Sequence, residues 1–393
     1  MMKGDVSIRS FEGIRGVAAL SVALYHFNGF LRDGGTIVNS FYLFVDLFFI
    51  LSGFVIFRAY GERLSTRAQF GNFVTRRIGR LYPLHVFATI FFVVVVAASR
   101  LLKSAMIHVG FGAGLGGLGS EPFAFPTWSA IAINSLLLQG IGPFSHYTIN
   151  GPSWSISTEF YAYLVLGLSV YFLKGRVLVV LLTIIACSGM GFAWYGSVYV
   201  DHCLQVSHCL DSHLDYAFPR CIASFILGAF AEWVASKLYW KRLLTISFVQ
   251  LMAAVLAVCV MWKSISAPAW AFTTPLCFLL VVVALASDRG VLATALQTRP
   301  CQYLGKVSYS IYMVHAPLVF VGHITLKPIP FAAKLGVLAA YVLLVLLISA
   351  LTFRFIETPG REFARKLSNQ WFDPNIVPKD GMAKKSLSSA ARS

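Results

Sequence analysis

Charged residues are scarce in this sequence. Asp, Glu, Lys and Arg together make up 12% of the 393 residues, whereas apolar residues make up 58%. A soluble globular domain usually carries about 25% charged residues, and half that share leaves too little polar surface to cover a soluble body. The composition therefore excludes an ordinary water-soluble domain and indicates a protein that lies in a lipid bilayer.

Negative charge is the scarcer of the two signs, with 16 Asp and Glu against 32 Lys and Arg and a formal net charge of +16. In a soluble protein this excess would suggest a nucleic-acid partner. In a membrane protein the cytoplasmic loops collect Lys and Arg, so topology explains the excess. No nucleic-acid partner is predicted, and membrane lipids are the expected partners of the apolar surface.

Polar interruptions of the apolar runs are few. Several runs approach or exceed the ~18 residues that cross the hydrocarbon core, which predicts an all-α, polytopic membrane bundle of about ten transmembrane helices. The predicted spans are 11–30, 41–57, 81–99, 154–173, 177–196, 217–235, 243–262, 268–287, 308–326 and 331–353. A further apolar piece, Trp128–Leu138, is short and flanked by Gly and Pro, so it is expected to be re-entrant or interfacial.

The distribution of basic residues predicts the orientation of these spans. With ten spans, 25 of the 32 Lys and Arg fall on the side that holds both termini, and 7 fall on the other side. If Trp128–Leu138 also spanned, every later loop would change sides and the bias would largely vanish. The positive-inside rule therefore predicts that the N-terminus and the C-terminus both lie in the cytoplasm.

Signs of a second folded domain are missing. No internal repeat is visible, and no small-residue cleavage site follows the first apolar segment, which is expected to be a permanent helix. We assign residues 1–366 to one transmembrane domain. Residues 367–393, which contain Pro, Lys and Ser, are expected to form a disordered cytoplasmic tail.

Cysteine is sparse, with seven in the chain. Cys203 and Cys209 share one polar loop with His202, His208 and His213, so the two thiols could form a disulfide or take part in a metal site. The spacing fits no standard zinc pattern. No metal ligand is therefore assigned.

Ionisable residues inside the predicted spans are rare and form the first list of candidates. Such groups are costly at membrane depth and face the bundle interior or a cavity. The six that we select as candidates are Glu12, Arg15, His26, Asp46, Glu159 and His315.

Arg15 and His26 lie on the first predicted span, eleven positions apart. Eleven residues of helix rise about 16 Å and leave the two side chains about 20° apart around the axis, so both line one face. Arg15 is then near the cytoplasm and His26 in the outer half. The alternatives are an interfacial anchor for Arg15 and an interhelical hydrogen bond for His26.

Arg76, Arg77 and Arg80 crowd the start of the third predicted span, in the segment NFVTRRIGRLYP. Guanidinium groups bind phosphate through two parallel hydrogen bonds, so the cluster suits a phosphorylated ligand. The alternative is a positively charged stop that contacts lipid headgroups.

Glu159 follows Trp154 by a little more than one helical turn, in GPSWSISTEFYAYL. Trp154 is interpreted as a residue of the interfacial belt, which puts Glu159 at about the depth of His26. A carboxylate beside an imidazole in a site of low dielectric constant is an acid/base arrangement. The alternative is a structural salt bridge.

Five segments, taken in order, resemble acyltransferase family 3, a group of bacterial integral membrane acyltransferases. Each segment alone is moderately specific, but five in order along nearly the whole chain are strongly so. The segments are SFEGIRGVAALSVALYH, FVDLFFILSGFVI, NFVTRRIGRLYP, WSISTEFYAYL and LGKVSYSIYMVH.

The resemblance implies a multi-pass protein of the bacterial cytoplasmic (inner) membrane that moves an acyl group, commonly acetyl from acetyl-CoA, to a carbohydrate or glycolipid acceptor. Acyl-CoA is then a co-substrate, and no bound cofactor is expected. The family's functional residues map onto Arg15, His26, Arg77, Arg80 and Glu159.

We hypothesise that acyl-CoA docks its phosphates on Arg76, Arg77 and Arg80 and extends its arm past Arg15. His26 would act as general base or briefly accept the acyl group, and Glu159 would orient its imidazole. The residues assigned to the same cavity as supporting groups are Glu12, Asp46, Ser308, Tyr309, Tyr312 and His315.

A transporter or flippase for a lipid-linked sugar or small anion is the rival interpretation. It also uses buried charge and a basic cytoplasmic mouth, although the inverted repeats frequent in transporters are not visible here. A membrane scaffold is a third possibility, which six buried ionisable residues argue against.

Overall fold

The computed structural model describes residues 8–27, 35–109, 125–206, 208–211, 216–237, 247–325 and 331–372. Every regular element in these ranges is helical, and they contain no β-strand. This confirms the predicted all-α class.

The α-helices are numbered in chain order. They are α1 (Arg9–Phe27), α2 (Phe44–Tyr60), α3 (Arg67–His108), α4 (Trp128–Ser135), α5 (Ser153–Phe172), α6 (Gly175–Tyr195), α7 (Cys203–Val206), α8 (Ala217–Ser236), α9 (Ser247–Ser266), α10 (Thr274–Leu285), α11 (Val291–Leu296), α12 (Arg299–Lys306), α13 (Ser308–Thr325), α14 (Phe331–Thr352) and α15 (Thr358–Phe372). Short 3₁₀ segments precede α2, α5 and α10, and a π-helical turn joins α14 to α15.

Seven helical stretches of the described chain are long and apolar enough to cross a membrane. They are Ile37–Tyr60, Arg67–Leu102, Gly175–Val200, Ala217–Ser236, Ser247–Ser266, Pro268–Leu285 and Ala333–Phe372. The other three predicted spans correspond to α1, α5 and α13. Their polar side chains lower the hydropathy, as with the buried serines at the start of α5. The count of ten and the sidedness of the termini stay predictions.

The helix α3 is longer than a membrane requires. Its 42 residues rise about 63 Å, roughly twice the ~30 Å thickness of the hydrocarbon core. The predicted span began at residue 81, but the helix begins at Arg67. The arginine-rich segment is therefore helical as well, and hydropathy detected only the apolar part. By contrast α4 has eight residues, which rise about 12 Å and cannot cross.

Glycines let neighbouring helices approach closely around the candidate site. A Cβ atom on Gly16 would lie 2.3 Å from the backbone nitrogen of Gly305, so α1 and α12 touch backbone to backbone beside Arg15. A Cβ atom on Gly53 would lie 1.8 Å from the carbonyl oxygen of Phe225, which joins α2 to α8 in the same way. Small residues at such crossings let the helix backbones approach closely. The resulting van der Waals contacts hold helices together in lipid, where no hydrophobic driving force acts between them.

The last helix packs against the arginine-rich part of α3. A Cβ atom on Gly79 would meet the Cβ of Ala364 at 1.9 Å, and one on Gly360 would meet Pro83 at 2.5 Å. Ser368 is fully buried. Helix α15 continues to Phe372, six residues past the predicted boundary at residue 366, and the division into two regions stays a prediction. The rest of the predicted tail, from residue 373, lies outside the described residues.

The polar loop before α8 is closed by a disulfide bond between Cys203 and Cys209, which confirms one of the two alternatives that the sequence left open. Tyr42 donates a hydrogen bond from its hydroxyl to the carbonyl of Cys209 at 2.7 Å. Within the described ranges no group of three His, Cys, Asp or Glu side chains could hold a metal ion. His213 lies outside those ranges.

Candidate active site

Two of the chambers in the described part of the chain adjoin α1, one toward each of its ends. The first, which we call the arginine chamber, has a volume of about 50 Å³. It is lined by Arg15, Val45, Phe48, Phe49, Ser52, Arg80, Leu81, Ser155, Ile156, Glu159, Ser308, Tyr309 and Tyr312. It brings together six of the residues that the sequence singled out: Arg15, Arg80, Glu159, Ser308, Tyr309 and Tyr312.

The second, the histidine chamber, is much larger, at about 600 Å³. Its lining is rich in aromatic and hydroxyl groups: Tyr25, His26, Tyr42, Val45, Phe92, Ser145, Thr148, Ile149, Gly151, Pro152, Trp154, Asp211, Arg220, Tyr312, Ala316 and Val319. This volume falls in the range of pockets that hold small ligands.

Val45 and Tyr312 line both chambers, so the chambers meet at these two side chains. The hydroxyl of Tyr312 lies 2.8 Å from the Ser155 hydroxyl. Ser155 donates its single proton to the Pro152 carbonyl at 3.0 Å, because a carbonyl only accepts, so Tyr312 donates to the Ser155 oxygen. A phenol hydroxyl thus stands at the junction.

His26 meets a second imidazole, that of His315. The fully buried ring of His315 places Nδ1 2.7 Å from the Tyr312 carbonyl and Nε2 3.3 Å from His26 Nδ1. Because a carbonyl only accepts, His315 carries its proton on Nδ1 and accepts with Nε2. His26 Nδ1 also lies 2.9 Å from the carbonyl of Val22, so it is the donor. These partners assign the basic lone pair of His26 to Nε2.

Glu159 lies in the arginine chamber rather than beside His26. Its Oε1 accepts a hydrogen bond from the Ser52 hydroxyl at 2.5 Å and another from the Tyr163 hydroxyl. Arg80 lies within electrostatic range of the same carboxylate. The depth inferred from Trp154 was therefore wrong, and the residue that the structure places against His26 is His315. A catalytic role for Glu159 stays a prediction.

The four candidate arginines divide into two groups. Arg15 and Arg80 line the arginine chamber, where Arg15 pairs with Glu12 at 3.2 Å. Arg76 donates instead to the side-chain oxygen of Asn369 on α15 at 2.9 Å. Arg77 lies over the rings of Tyr60 and Tyr163, with its guanidinium carbon 5.8 and 5.7 Å from the ring centroids. The structure therefore brings only two of the four to the chamber wall.

Arg220 is a site residue that the sequence reasoning missed. It forms a buried ion pair with Asp46 at 2.7 Å, and Asp46 also accepts from the Ser224 hydroxyl at 2.8 Å. Arg220 lies near the start of the predicted span 217–235. Its position among apolar residues, together with the carboxylate of Asp46 inside another predicted span, was the signal available.

Glu357 and Arg361 were also missed. Glu357 is buried at the end of the π-helical turn, where it pairs with Arg361 and accepts from the Ser310 hydroxyl at 2.8 Å. A carboxylate four residues before an arginine, at the end of the last apolar run, is the sequence signal for this pair.

Sequence comparison decides the family. A sequence profile described as an acyltransferase domain, that of acyltransferase family 3, matches residues 8–354. The chain belongs to acyltransferase family 3. The match covers nearly the whole described bundle, including both chambers.

Curated relatives agree with this membership. A Bacillus subtilis protein named as a peptidoglycan O-acetyltransferase is 24% identical over 95% of this chain and 59% of its own length. A membrane-bound transacylase so named in Komagataeibacter xylinus is 25% identical over 91% of this chain and 84% of its own length. The Staphylococcus aureus O-acetyltransferase OatA is 25% identical over 89% of this chain.

The chain spans 59% and 57% of the two relatives named as O-acetyltransferases. No solved structure matches the chain. Membership in a membrane acyltransferase family, together with the helical bundle, supports acyl transfer by a multi-pass membrane protein.

Proposed function

We propose that this protein is an O-acyltransferase of the bacterial cytoplasmic membrane that moves an acetyl group from cytoplasmic acyl-CoA to a hydroxyl of an exported carbohydrate. The observation that carries the proposal is the pair of adjoining chambers, one with cations and one with a basic imidazole. Each chamber suits one of the two substrates.

The arginine chamber suits the donor. The guanidinium groups of Arg15 and Arg80 are at its wall, and such groups bind phosphate esters bidentately. With the predicted orientation, this end of the bundle faces the cytoplasm, where acyl-CoA is found. The donor's phosphates would stay at this end while its thioester reached toward Tyr312.

The histidine chamber suits the acceptor. Tyr25, Tyr42 and Trp154 present ring faces, and Asp211 and Thr148 present hydrogen-bonding oxygens. Sugars have apolar faces that stack on aromatic rings and hydroxyls that need polar partners. The names of two relatives as O-acetyltransferases support a hydroxyl acceptor.

The reaction would take place where the chambers meet. His26 Nε2 removes the proton from the acceptor hydroxyl as its oxygen attacks the thioester carbonyl. The Tyr312 hydroxyl, which bonds the Ser155 oxygen in the absence of substrate, would turn its proton to the negative oxygen that develops. The C–S bond then breaks, the imidazolium of His26 returns the proton to the CoA thiolate, and the ester remains on the sugar.

The arginine chamber is narrow, and this places a requirement on the mechanism. A volume of about 50 Å³ leaves room for only a few water molecules. The donor's arm must therefore displace side chains to enter. Tyr309 is one candidate, since its hydroxyl bonds the Leu81 carbonyl at 2.7 Å across the chamber wall.

Mass spectrometry of envelope glycans tests the proposed function. Cells with the wild-type gene, with His26→Ala and without the gene are compared. We expect alkali-labile acetyl groups on a glycan of wild-type cells only, with normal amounts of His26→Ala protein in the membrane. Identical glycan profiles in all three strains would refute the proposal.

A further inference from the structure

We infer that Arg361 of α15 is a third guanidinium of the donor site and binds phosphate together with Arg15 and Arg80. The inference rests on the proposed acyl-CoA donor. It concerns a helix beyond residues 8–354, where the family profile matches. Helix α15 would then be part of the binding site rather than the start of a tail.

Three guanidinium groups at this end of the bundle interact electrostatically, although only Arg15 and Arg80 line the arginine chamber. Arg361 lies within electrostatic range of both Arg80 and Arg15, as well as of Glu357 and Glu12. Glu357, in turn, lies within range of Arg80 and Arg15. Guanidinium groups held near one another in a partly buried site repel one another and destabilise the folded protein. A polyanion that binds between them removes this repulsion.

Arg361 keeps unused hydrogen-bonding capacity. Its terminal nitrogen Nη2 pairs with Glu357, but its buried Nε has no hydrogen-bond partner in the described part of the chain. Buried donors are normally satisfied, and an unsatisfied one costs about 1–3 kcal/mol. A phosphate oxygen at Nε would remove that cost. Arg76 and Arg77, on the neighbouring surface of α3, show the same unpartnered buried Nε.

Glu357 fixes the direction of the Arg361 side chain. One carboxylate oxygen pairs with Arg361, while the other accepts from the hydroxyl of Ser310 at 2.8 Å. Ser310 belongs to α13, the helix that also carries Ser308 of the arginine chamber, but it points away from the chamber because two positions along a helix differ by about 200°. The buried carboxylate therefore ties the end of the π-helical turn, just before α15, to α13.

The helix itself is firmly placed. The glycine contacts of Gly79 and Gly360 hold α15 against α3 with no room for a side chain between them. Near the other end of α15, Asn369 accepts from Arg76 at 2.9 Å. Arg76 thus acts as a positioning residue for α15, which differs from the direct phosphate contact that the sequence suggested.

The charge balance also favours an anion. Among the charged side chains named so far, five are arginines, Arg15, Arg76, Arg77, Arg80 and Arg361, and three are carboxylates, Glu12, Glu159 and Glu357. Two positive charges remain even when every carboxylate is ionised. A donor with several phosphates would neutralise this excess.

Binding of CoA to purified protein tests the inference. Arg361→Gln alone would leave the buried Glu357 charge unpaired and risk misfolding. The informative comparison is therefore Glu357→Gln against Glu357→Gln/Arg361→Gln, in nanodiscs of phosphatidylcholine. Arg365→Gln, one turn further along α15 and exposed, is the matched control for loss of charge. The probes are CoA and pantetheine, which lacks the phosphates.

We expect the double variant to bind CoA about tenfold or more weakly than Glu357→Gln, because charged hydrogen bonds are lost. Pantetheine binding and the affinity of Arg365→Gln for CoA should not change. Equal CoA affinity in the single and double variants would overturn the role of Arg361 but would not affect the proposal that acyl-CoA is the donor. An effect seen only when phosphatidylglycerol replaces part of the lipid would assign Arg361 to a headgroup and also overturn it. If wild-type protein failed to bind CoA, the proposed donor would fall and this inference with it.

Discussion

The pairing of His26 with His315 gives the sharpest prediction, because two substitutions of His315 separate its two hydrogen bonds. In His315→Asn, the amide nitrogen can still donate to the Tyr312 carbonyl, as Nδ1 does, but the acceptor for His26 is lost. In His315→Gln, the longer side chain can place an amide oxygen near the Nε2 position and keep that acceptor.

The magnitude follows from the two acceptors of His26 Nδ1. The Val22 carbonyl at 2.9 Å is the nearer, and His315 Nε2 at 3.3 Å is the farther. Because Val22 still holds the tautomer, loss of His315 should cost one hydrogen bond of about 0.5–1.5 kcal/mol, a rate decrease of about 2- to 10-fold. Loss of the base itself, in His26→Ala, should cost about 10²–10⁴-fold.

The assay is alkali-labile acetate on envelope glycans per membrane-inserted molecule, with thermal stability measured in parallel. We expect rates in the order wild type, His315→Gln, His315→Asn, His26→Ala. If His315→Asn and His315→Gln both kept the wild-type rate, His315 would only fill space. If His315→Asn were as slow as His26→Ala, the Val22 carbonyl would not hold the tautomer as argued.

Three further predictions concern other parts of the molecule. Arg80→Ala should raise the KM for acyl-CoA at least tenfold with little change in kcat. Arg77→Ala should instead lower thermal stability, since Arg77 packs on Tyr rings. The reverse pattern would refute the assignment of Arg80 to binding and of Arg77 to packing. Cys203 and Cys209 should resist maleimide labelling until the protein is reduced, and labelling without reductant would contradict the disulfide. Burial raises the pKa of Asp288, but hydrogen bonds from Ser10, Arg9 and Gln297 outweigh it and leave the pKa below its usual value. The ionised Asp288 therefore stabilises the folded protein fully above the ordinary Asp pKa of about 3.9, and this stabilisation is lost as the pH falls through the pKa of the folded state. The difference in melting temperature between the wild type and Asp288→Asn should shrink below about pH 4. A difference that did not change with pH would reject the argument.

The spans were largely predictable because hydropathy depends on local composition. Each predicted span overlaps a helix, and α4 is short as its flanking Gly and Pro indicated. The start of α3 was not predictable in this way. The segment from Arg67 is helical because it packs against α15, and hydropathy carries no information on that contact.

The site residues were found more readily than their partners. Arg15, His26, Arg80 and Glu159 stood out because ionisable groups are rare in apolar segments. Yet His26 and His315 are 289 positions apart, and only the packing of α1 against α13 brings them together. Spacing along one helix likewise fixed the depth of Glu159 only relative to Trp154.

Buried ion pairs were the main omission. Asp46 was among the candidates but Arg220 was not, since the sequence does not reveal that α8 begins deep enough for the pair to form. Glu357 was passed over because it lies at the end of an apolar run, where an exposed carboxylate would be unremarkable. In the structure Ser310 and Arg361 surround it.

Acyl transfer across sealed inside-out membrane vesicles tests the central claim most directly. Acetyl-CoA with a labelled acetyl group is supplied outside, at the former cytoplasmic face, and the label on glycans in the lumen is measured. We predict alkali-labile label on lumenal glycans with the wild-type protein, none with His26→Ala, and no CoA in the lumen. Equal labelling with His26→Ala, or entry of CoA itself, would contradict transfer between the two chambers.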